Sequence, residues 1–477
     1  MDIIHRVMPT ILSAFNSICE ILGPGCSIID IERRIHEAGH QISRELLTSL
    51  LADIDRSLME ARNKAEWEVV GLRDRTVVTL FGEVTIKRRL YRNRKEKGEY
   101  RILLDEALGL EPQMRMTPGV KELAVKLSTE MPFRKVAETL GYLAPGVSAM
   151  AAWKACEEAG RLAAEEASER RKAVFEYGEI PQGQRRPERL NIESDEVLVK
   201  AQRSSSRHVG VKLAVAYEGK ERVGKDRYAL KNRKVVSGNL NGEEFWEETA
   251  AQLGQEWDLG GIPQIHIGGD GADWIKQGVK QFPNACYHLD PFHLRKKLTE
   301  ALGVSELHYH GVVQGIEHLD WDETAKALDQ AAKAARSKAA RDRVKELKVY
   351  LANNWEGIEE LPEGQRLGAI EGQVRHHAAR RMKRNGARWT PNGADRMARL
   401  LAAEANGELS KYTEVGRIRE AIVVELAKTV EVARKRARVE DPSEWLKVRM
   451  PVLYGPDQAK PWVQWLRGIS TAWLKAM

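Results

Sequence analysis

The order of apolar and polar residues divides the chain into stretches of different period. Between Ile28 and about Trp67 the residues Ile42, Leu46, Leu47, Leu50, Leu51, Ile54 and Leu58 recur at three- and four-residue steps, the stripe of long amphipathic helices. The period then shortens. RTVVTLFGEVTIKRRLYRNRKEK holds two β-branched runs around Phe81-Gly82 and reads as a hairpin. Its second strand alternates Val84, Ile86, Arg88 and Leu90 against Thr85, Lys87, Arg89 and Tyr91. From Thr117 the helical period returns in TPGVKELAVKLSTE with Pro118 near its first turn, in FRKVAETLG ending at Gly141, and in a long helix capped by Ser148. Two short helices and a third after a turn outline a helix-turn-helix. EYGEIPQGQRRPER, with little apolar content, reads as a linker.

Beyond the linker three strands are expected in succession, LNIESDEVLVKA, VGVKLAVAYEGK and YALKNRKVV. Helix and strand then alternate through GEEFWEETAAQLGQEW, IPQIHIGGDG, ADWIKQGVKQF, ACYHLD and PFHLRKKLTEALG. Such an order implies a mixed sheet with helices packed on it, so the fold class is α/β. From about Val304 to Leu367 the pattern is helical throughout. Glu371 opens a further helix rich in His and Arg, and most of the last hundred residues also read as helix.

With 477 residues the chain is too long for one ordinary domain, and its 42% hydrophobic and 30% charged residues suit globular modules. The net charge of +7 favours a polyanionic partner. Four cysteines, Cys19, Cys26, Cys156 and Cys286, form no CxxC pair, which argues against a zinc ribbon or a disulfide framework and for a reduced, cytoplasmic setting. The N-terminus carries Asp2, His5 and Arg6 within its apolar run and lacks the features of a signal peptide, and no stretch suits a membrane span.

Three acidic residues stand where a sheet-based metal site would use them. Asp195 lies in the first strand of the mixed sheet, Asp270 at the carboxyl end of a later strand, and Glu371 on a helix downstream. Ligands in open α/β sheets gather at strand carboxyl ends. Carboxylate oxygens suit Mg²⁺ or Mn²⁺, and two such ions roughly 3.5–4 Å apart support in-line phosphoryl displacement. Each residue also has a plain structural use: Asp195 as an exposed strand residue, Asp270 as a turn former or helix cap, Glu371 as a solvated helix residue. In HLDPFHLRKKL, Asp290-Pro291 is a helix start with His293 in its first turn. The pair is expected to support the ligands rather than to join them. His308, His310 and His318 read as surface histidines.

The strings FGEVTIKRRLY, LLDEALGLEP, GDGADWIKQG, LDPFHLRKKL, IEGQVRHHAARRMK and WTPNGADRMARL together resemble the ISLre-type bacterial insertion-sequence transposases, relatives of the Mutator-like transposases. The similarity runs from about Arg75 to Leu400. It implies an RNase H-like core and a DDE transposase whose catalytic and metal-binding acids match Asp195, Asp270 and Glu371, with two Mg²⁺ or Mn²⁺ ions. The aspartate-x-x-histidine signature of the Mutator-like group matches Asp290 and His293, and the helical stretch before Glu371 matches an insertion. The family usually has Gly after its first aspartate; here the residue is Glu196.

The resulting layout has a helical region over 1–70, a basic hairpin region over 71–116 and a helix-turn-helix-like DNA-binding region over 117–178. An RNase H-like core over 190–303 and 368–405 is interrupted by a helical insertion over 304–367, and a helical region covers 406–477. Phosphate contacts with double-stranded DNA, both transposon ends and target, are expected from Lys87, Arg88, Arg89, Arg92, Arg94 and Lys95. A second set, Arg375, Arg380, Arg381, Lys383 and Arg384, follows Glu371. The helix after Ser148 is short of residues that read base edges, so a plain three-helix packing unit fits the third region equally well. Hydrolysis at transposon ends followed by 3′-hydroxyl strand transfer is the expected activity, in a homo-oligomer, with neither membrane nor small-molecule substrate. A cleavage-inactive DNA-binding derivative and a nuclease without strand transfer share these features.

Overall fold

The computed structural model describes residues 3–19, 27–110, 112, 115–225, 227–303, 307–358, 367–384, 386–413 and 456–467. The expected helical C-terminal region lies mostly outside these residues. The chain divides into two units, one drawn from Met1–Leu123, Ala137–Ser148 and Glu414–Met477, the other from Ala124–Val136 and Ala149–Thr413. Among the described residues no helix is long and apolar enough to cross a membrane.

The first unit opens with helices α1 (Ile3–Cys19) and α2 (Ile28–Ala61), strands β1 (Trp67–Thr79), β2 (Gly82–Asn93) and β3 (Tyr100–Arg101), and helix α3 (Leu103–Leu108). Ser27 and Asp30 form a capping box that starts α2. The strands make an antiparallel sheet in the order β1-β2-β3. Leu51 of α2 is buried with Val77, Val84, Ile86, Leu104 and Leu110, while Leu47, Ile54 and Leu58 pack at the rim of that cluster. The stripe that predicts the helix is therefore the stripe that seats it on the hairpin. The hairpin begins at Trp67, eight residues before its β-branched signal, because WEVVGLRD pairs with β2 while exposing Val69, Val70 and Leu72.

Helices α4 (Pro118–Glu130) and α5 (Phe133–Leu143) follow, and α6 (Ala149–Phe175) belongs to the second unit. α6 buries Ala152, Ala155, Cys156, Ala159, Gly160, Ala163 and Ala167 along one face. Arg396 lies against Gly160, and Arg171 pairs with Glu244 and Glu247 at 3.5 and 3.4 Å. The small residues of this face of α6 allow close approach of its neighbours.

The second unit continues with β4 (Arg189–Lys200), β5 (His208–Tyr217), β6 (Gly219–Gly224), β7 (Arg227–Lys231), β8 (Lys234–Gly238), α7 (Gly242–Leu253), β9 (Gln264–Gly269), α8 (Asp273–Lys276), β10 (Ala285–Leu289) and α9 (Pro291–Leu302). Five of these strands form one mixed sheet in the order β10-β9-β4-β5-β8. β4 runs antiparallel to β5 and β5 to β8, whereas β9 is parallel to β4 and to β10. YALKNRKVV is two strands rather than the single one its composition suggests. Asn232 turns the chain with a φ of +51°, so YALK pairs in a separate β6-β7 ribbon and KVVSG joins the sheet.

One face of the sheet buries Leu190, Ile192, Ala214, Ala216, Val236, Ile265 and Ile267 against Phe245, Trp246 and Leu253 of α7. The other carries Asn191, Glu193 and Asp195, which alternate with those positions along β4. Helices α10 (Leu307–Glu317), α11 (Trp321–Ala334) and α12 (Lys338–Asn354) fill the stretch expected to be helical and share an apolar cluster of Leu298, Leu302, Val312, Leu328, Val344, Leu347 and Leu351 with α9. A helix follows in three parts: α13 (Ile370–Val374), a π-helical segment Arg375–Ala379, and α14 (Arg380–Met382).

Helix α15 (Pro391–Ala405) closes the unit. Just beyond it, the Asn406 side chain accepts from the Val235 backbone N–H and donates to its carbonyl, both at 2.8 Å. An amide side chain thereby completes an otherwise open strand edge. Within α15, Arg399 pairs with Glu248 of α7 and with Asp395 at 2.9 Å, its side chain and that of Glu248 being 7% and 6% exposed. Replacing Arg399 by Met leaves Glu248 buried without its cation, at an expected cost of about 3–5 kcal/mol. Denaturant unfolding measures this, and Arg399→Met combined with Glu248→Leu should recover most of the loss. Equal stability of Arg399→Met and the native protein would remove the pair from the fold's support.

Candidate functional site

Parallel strands deliver three acidic residues to one level. The β4-β9 register pairs Glu193 with Gly268, and the β10-β9 register pairs Leu289 with Gly269. Carried on by one or two residues, it aligns Asp195, Asp270 and Asp290. The Asp290 backbone N–H donates to the Gly269 carbonyl at 2.7 Å. β9 must end sharply after Asp270. Gly271 takes a φ of +96°, and a Cβ there would stand 2.6 Å from Oδ1 of Asn354, so only glycine fits on both counts. Asp270 Oδ1 accepts the Ala272 N–H at 3.0 Å, and its carbonyl accepts the Tyr350 hydroxyl at 2.7 Å. The last turn of α12 is thereby fastened to the strand that carries Asp270.

Asp290 caps α9. Its Oδ2 accepts the His293 backbone N–H at 3.0 Å and meets Nδ1 of the same imidazole at 2.7 Å. With Nδ1 engaged, Nε2 is the nitrogen left to a ligand, the orientation a carboxylate imposes on a metal-binding histidine. Glu371 is positioned from the sheet. Glu193, fully buried, accepts backbone N–H groups from Gly368, Ala369 and Ile370 at 2.8–3.1 Å and the Tyr217 hydroxyl. These are the orphan donors at the start of α13, where negative charge is favoured.

The outcome is a cluster in which Asp195, His293 and Glu371 each offer one ligand atom, all within 4.8 Å of one another. Two carboxylates and an imidazole suit a divalent cation that accepts both oxygen and nitrogen, Mn²⁺ more readily than Mg²⁺. The buried Oδ1 of Asp290 has no hydrogen-bond partner, a polar atom beside the cluster that a hydrated cation would satisfy. Burial is the chief reason that Asp195 is pushed up to about 6; Asp270 and Glu371 add to it, against the Glu196 N–H and His293. The hydrogen bond to Asp290, followed by its charge and those of Asp195 and Asp270, pushes His293 up.

Asp270 is outside the three-residue cluster, with one oxygen folded back onto its own turn, though its charge acts on both Asp195 and His293. His293, expected as a supporting residue, stands within the three-residue cluster. Glu196 adds no carboxylate, because alternation along β4 turns it to the opposite face, where Lys212 stands 3.7 Å away. Sequence reasoning passed over Glu193, which looks like one more polar residue in NIESDEV. It also passed over Arg295, Lys296 and Lys297, all exposed on α9 just after His293.

Several expected DNA contacts are structural. Arg88 is tied, with Arg75, to Asp105, and Arg89 to the buried Asp55. Arg92 and Arg94 are half-exposed and share Glu68, leaving Lys87 and Lys95 exposed on the hairpin. Arg381 is 7% exposed. It donates to the Ser128 carbonyl at 2.6 Å, lies over the rings of Phe133 and Trp389 at 5.4 and 5.1 Å, and is pushed down to about 10 by burial. It is a core cation, not a phosphate contact. Arg375, Arg380, Lys383 and Arg384 are exposed, Arg380 being 3.2 Å from Glu130.

The chain belongs to the uncharacterised protein family UPF0236, whose model matches residues 22–419. UPF0236 protein TTE2489 of Caldanaerobacter subterraneus subsp. tengcongensis is 28% identical to it over 410 residues, 83% of each chain. The UPF0236 protein in the vanSb 3′ region of Streptococcus gallolyticus is 26% identical over 416 residues, 84% of this chain and 88% of that one. Among solved structures, the Drosophila P element transposase strand transfer complex matches 62% of this chain and 80% of its own at 12% identity. Its TM-score is 0.20, too low to carry an argument about fold or function.

Two outcomes follow from the geometry. A divalent cation competes with protons here, so Mn²⁺ affinity should fall by about tenfold per pH unit for each proton displaced. The fall should steepen below about 6, where Asp195 takes up its proton; calorimetry across pH 5–8 reads it, and a flat profile excludes these ligands. In the metal-free protein the same group has a folded value above its unfolded 3.8, so its contribution to stability declines as pH rises through that window. Glu193→Gln should cost about 2–3 kcal/mol and weaken Mn²⁺ binding at a distance. Unchanged affinity in the folded variant would deny Glu193 its positioning role.

Proposed function

We propose that this member of UPF0236 is a DNA transposase with an RNase H-like core, cutting at the ends of a mobile element and joining them to target DNA. The observation that carries the reading is the meeting of Asp195, His293 and Glu371, with Asp270 and Asp290 alongside, at one end of a five-stranded mixed sheet. The strand order β10-β9-β4-β5-β8, antiparallel on one side of β4 and parallel on the other, is compatible with an RNase H-like core. Copy number points the same way: in Caldanaerobacter one UPF0236 relative is encoded at eleven loci, as expected when a gene moves and multiplies.

Asp195, Asp270, Glu371 and His293 would hold Mg²⁺ or Mn²⁺, Asp270 after releasing the Ala272 N–H. Bound there, such ions lower the pKa of the attacking oxygen and stabilise charge on the leaving one. The protein's own groups orient and screen. Asp290 fixes the His293 ring, Glu193 holds the Glu371 helix against the strand that bears Asp195, and Gly271 with Asn354 keeps the Asp270 turn tight. Exposed Arg295, Lys296, Lys297 and Arg375, close in sequence to His293 and Glu371, offer positive charge suited to phosphate backbone, and exposed Phe292, packed edge-on to His293 at 5.5 Å, offers a ring for an unpaired base to stack on.

In the first step a water oxygen attacks phosphorus at the element's end. The P–O3′ bond breaks, and the proton lost by water is balanced by one gained at the 3′-oxygen. In the second step that 3′-hydroxyl attacks a target phosphodiester and releases a target 3′-hydroxyl. The test uses a labelled duplex carrying the element's own ends, with Mn²⁺ or Mg²⁺, and compares the native protein with Asp270→Asn and Glu371→Gln. Metal-dependent nicking and joined product, both reduced to background in the variants, are expected. Nicking without joining would reduce the reading to a nuclease, and end binding without cutting in all three proteins would overturn it.

A further inference from the structure

The parallel pairing of β9 and β10 sets three nitrogen and sulfur donors on one face of the sheet. Cys286 is the register partner of His266, and His288 that of Gly268, so all three side chains share the face. Nδ1 of His266 lies 2.6 Å from Nε2 of His288. Sγ of Cys286 stands 3.4 Å from the first and 3.2 Å from the second, and 3.7 Å from the Ile265 carbonyl oxygen. The two imidazoles are 7% and 3% exposed, while the cysteine opens to solvent.

We propose that His266, Cys286 and His288 form a second metal site, distinct from the carboxylate cluster, for a borderline-soft divalent cation of the zinc class. The donor set decides the class. Two imidazoles and a thiolate select Zn²⁺ over Mg²⁺ or Mn²⁺, and three protein ligands leave a fourth position for water. Tetrahedral coordination at the usual Zn–N and Zn–S lengths needs about 3.3 Å between the nitrogens and about 3.6 Å from each to sulfur. The trio reaches that spacing by side-chain shifts of less than about an ångström. Arg189 lies close enough to act on His266, and among the three donors Cys286 supplies the negative charge that offsets it.

The trio shares the sheet face of the acidic residues but lies further back along the strands, with His288 two residues before Asp290. His266 precedes Asp270 by four residues, about 13 Å along a strand. A cation bound there would clamp the edge strand β10 to β9, and with it the chain that leads directly into Asp290 and His293. The proposal stands whether or not the chain cuts DNA.

The test uses the full chain, stripped with a chelator and titrated with Co²⁺, whose bond to a thiolate gives a near-ultraviolet charge-transfer band. One equivalent should produce the band and Zn²⁺ should abolish it. Cys286→Ser, at an exposed position, should lose the band, while Asp195→Asn should keep it. Zn²⁺ should raise the melting temperature of the native protein by more than that of Cys286→Ser. Absence of the band in the native protein, or its persistence in Cys286→Ser, overturns the proposal. A band lost in Asp195→Asn as well would make cation binding at the thiolate depend on the carboxylate cluster and overturn the claim of a distinct site equally.

Discussion

Burying a carboxylate among apolar neighbours is costly unless every oxygen is satisfied, and Glu193 meets that condition in one particular way. Its partners are the three free N–H groups at the start of α13 and the Tyr217 hydroxyl of β5. Burial and Glu193 itself raise that hydroxyl far above its ordinary value, so it remains a donor. Strand and helix are remote in sequence, and this one side chain links them through groups that have no other use. Since Asp195 follows Glu193 by two residues on the same strand face, the strand that bears one acid also fixes the helix that bears another.

The same rule separates structural charges from available ones throughout the second unit. Arg399 and Arg381 are almost enclosed, the first by carboxylates and the second by two aromatic rings and a carbonyl. At the acidic cluster the balance is incomplete. Asp195, Asp270 and Glu371 repel one another while His293, held by Asp290, supplies one compensating charge. A fold that brings acids together with so little neutralisation stores an electrostatic demand of the kind a divalent cation would meet. That demand, more than any single distance, sets this end of the sheet apart from its other polar surfaces.

Much of this was legible where the signal is local. The Asp290-Pro291 helix start, the Gly271 turn and the alternation of β4 and β5 each depend on neighbours a few residues away, and the sheet and insertion follow from them. What escaped depends on distant partners. Arg89 reads as a phosphate ligand until Asp55, 34 residues earlier, is folded beside it, and Arg381 reads as surface until Phe133 and Trp389 enclose it. Glu193 carries no local mark at all, because its backbone partners lie some 175 residues downstream and Tyr217 lies 24 residues away on another strand. The split of YALKNRKVV turned on one residue, Asn232, whose positive φ composition permits without announcing.

The helix after Glu371 has an anchor at each end. Its start is held by Glu193, and its finish by Arg381, locked through Ser128, Phe133 and Trp389. Between them lies the π-helical turn Arg375–Ala379. A wider turn absorbs a residue without lengthening the helix in proportion, and removing one would rotate everything beyond it by about 100°. The turn therefore works as a phase adjuster. It lets a segment with one surplus residue satisfy two fixed docking points at once, and any change of length there must move either the acid or its buried arginine out of alignment.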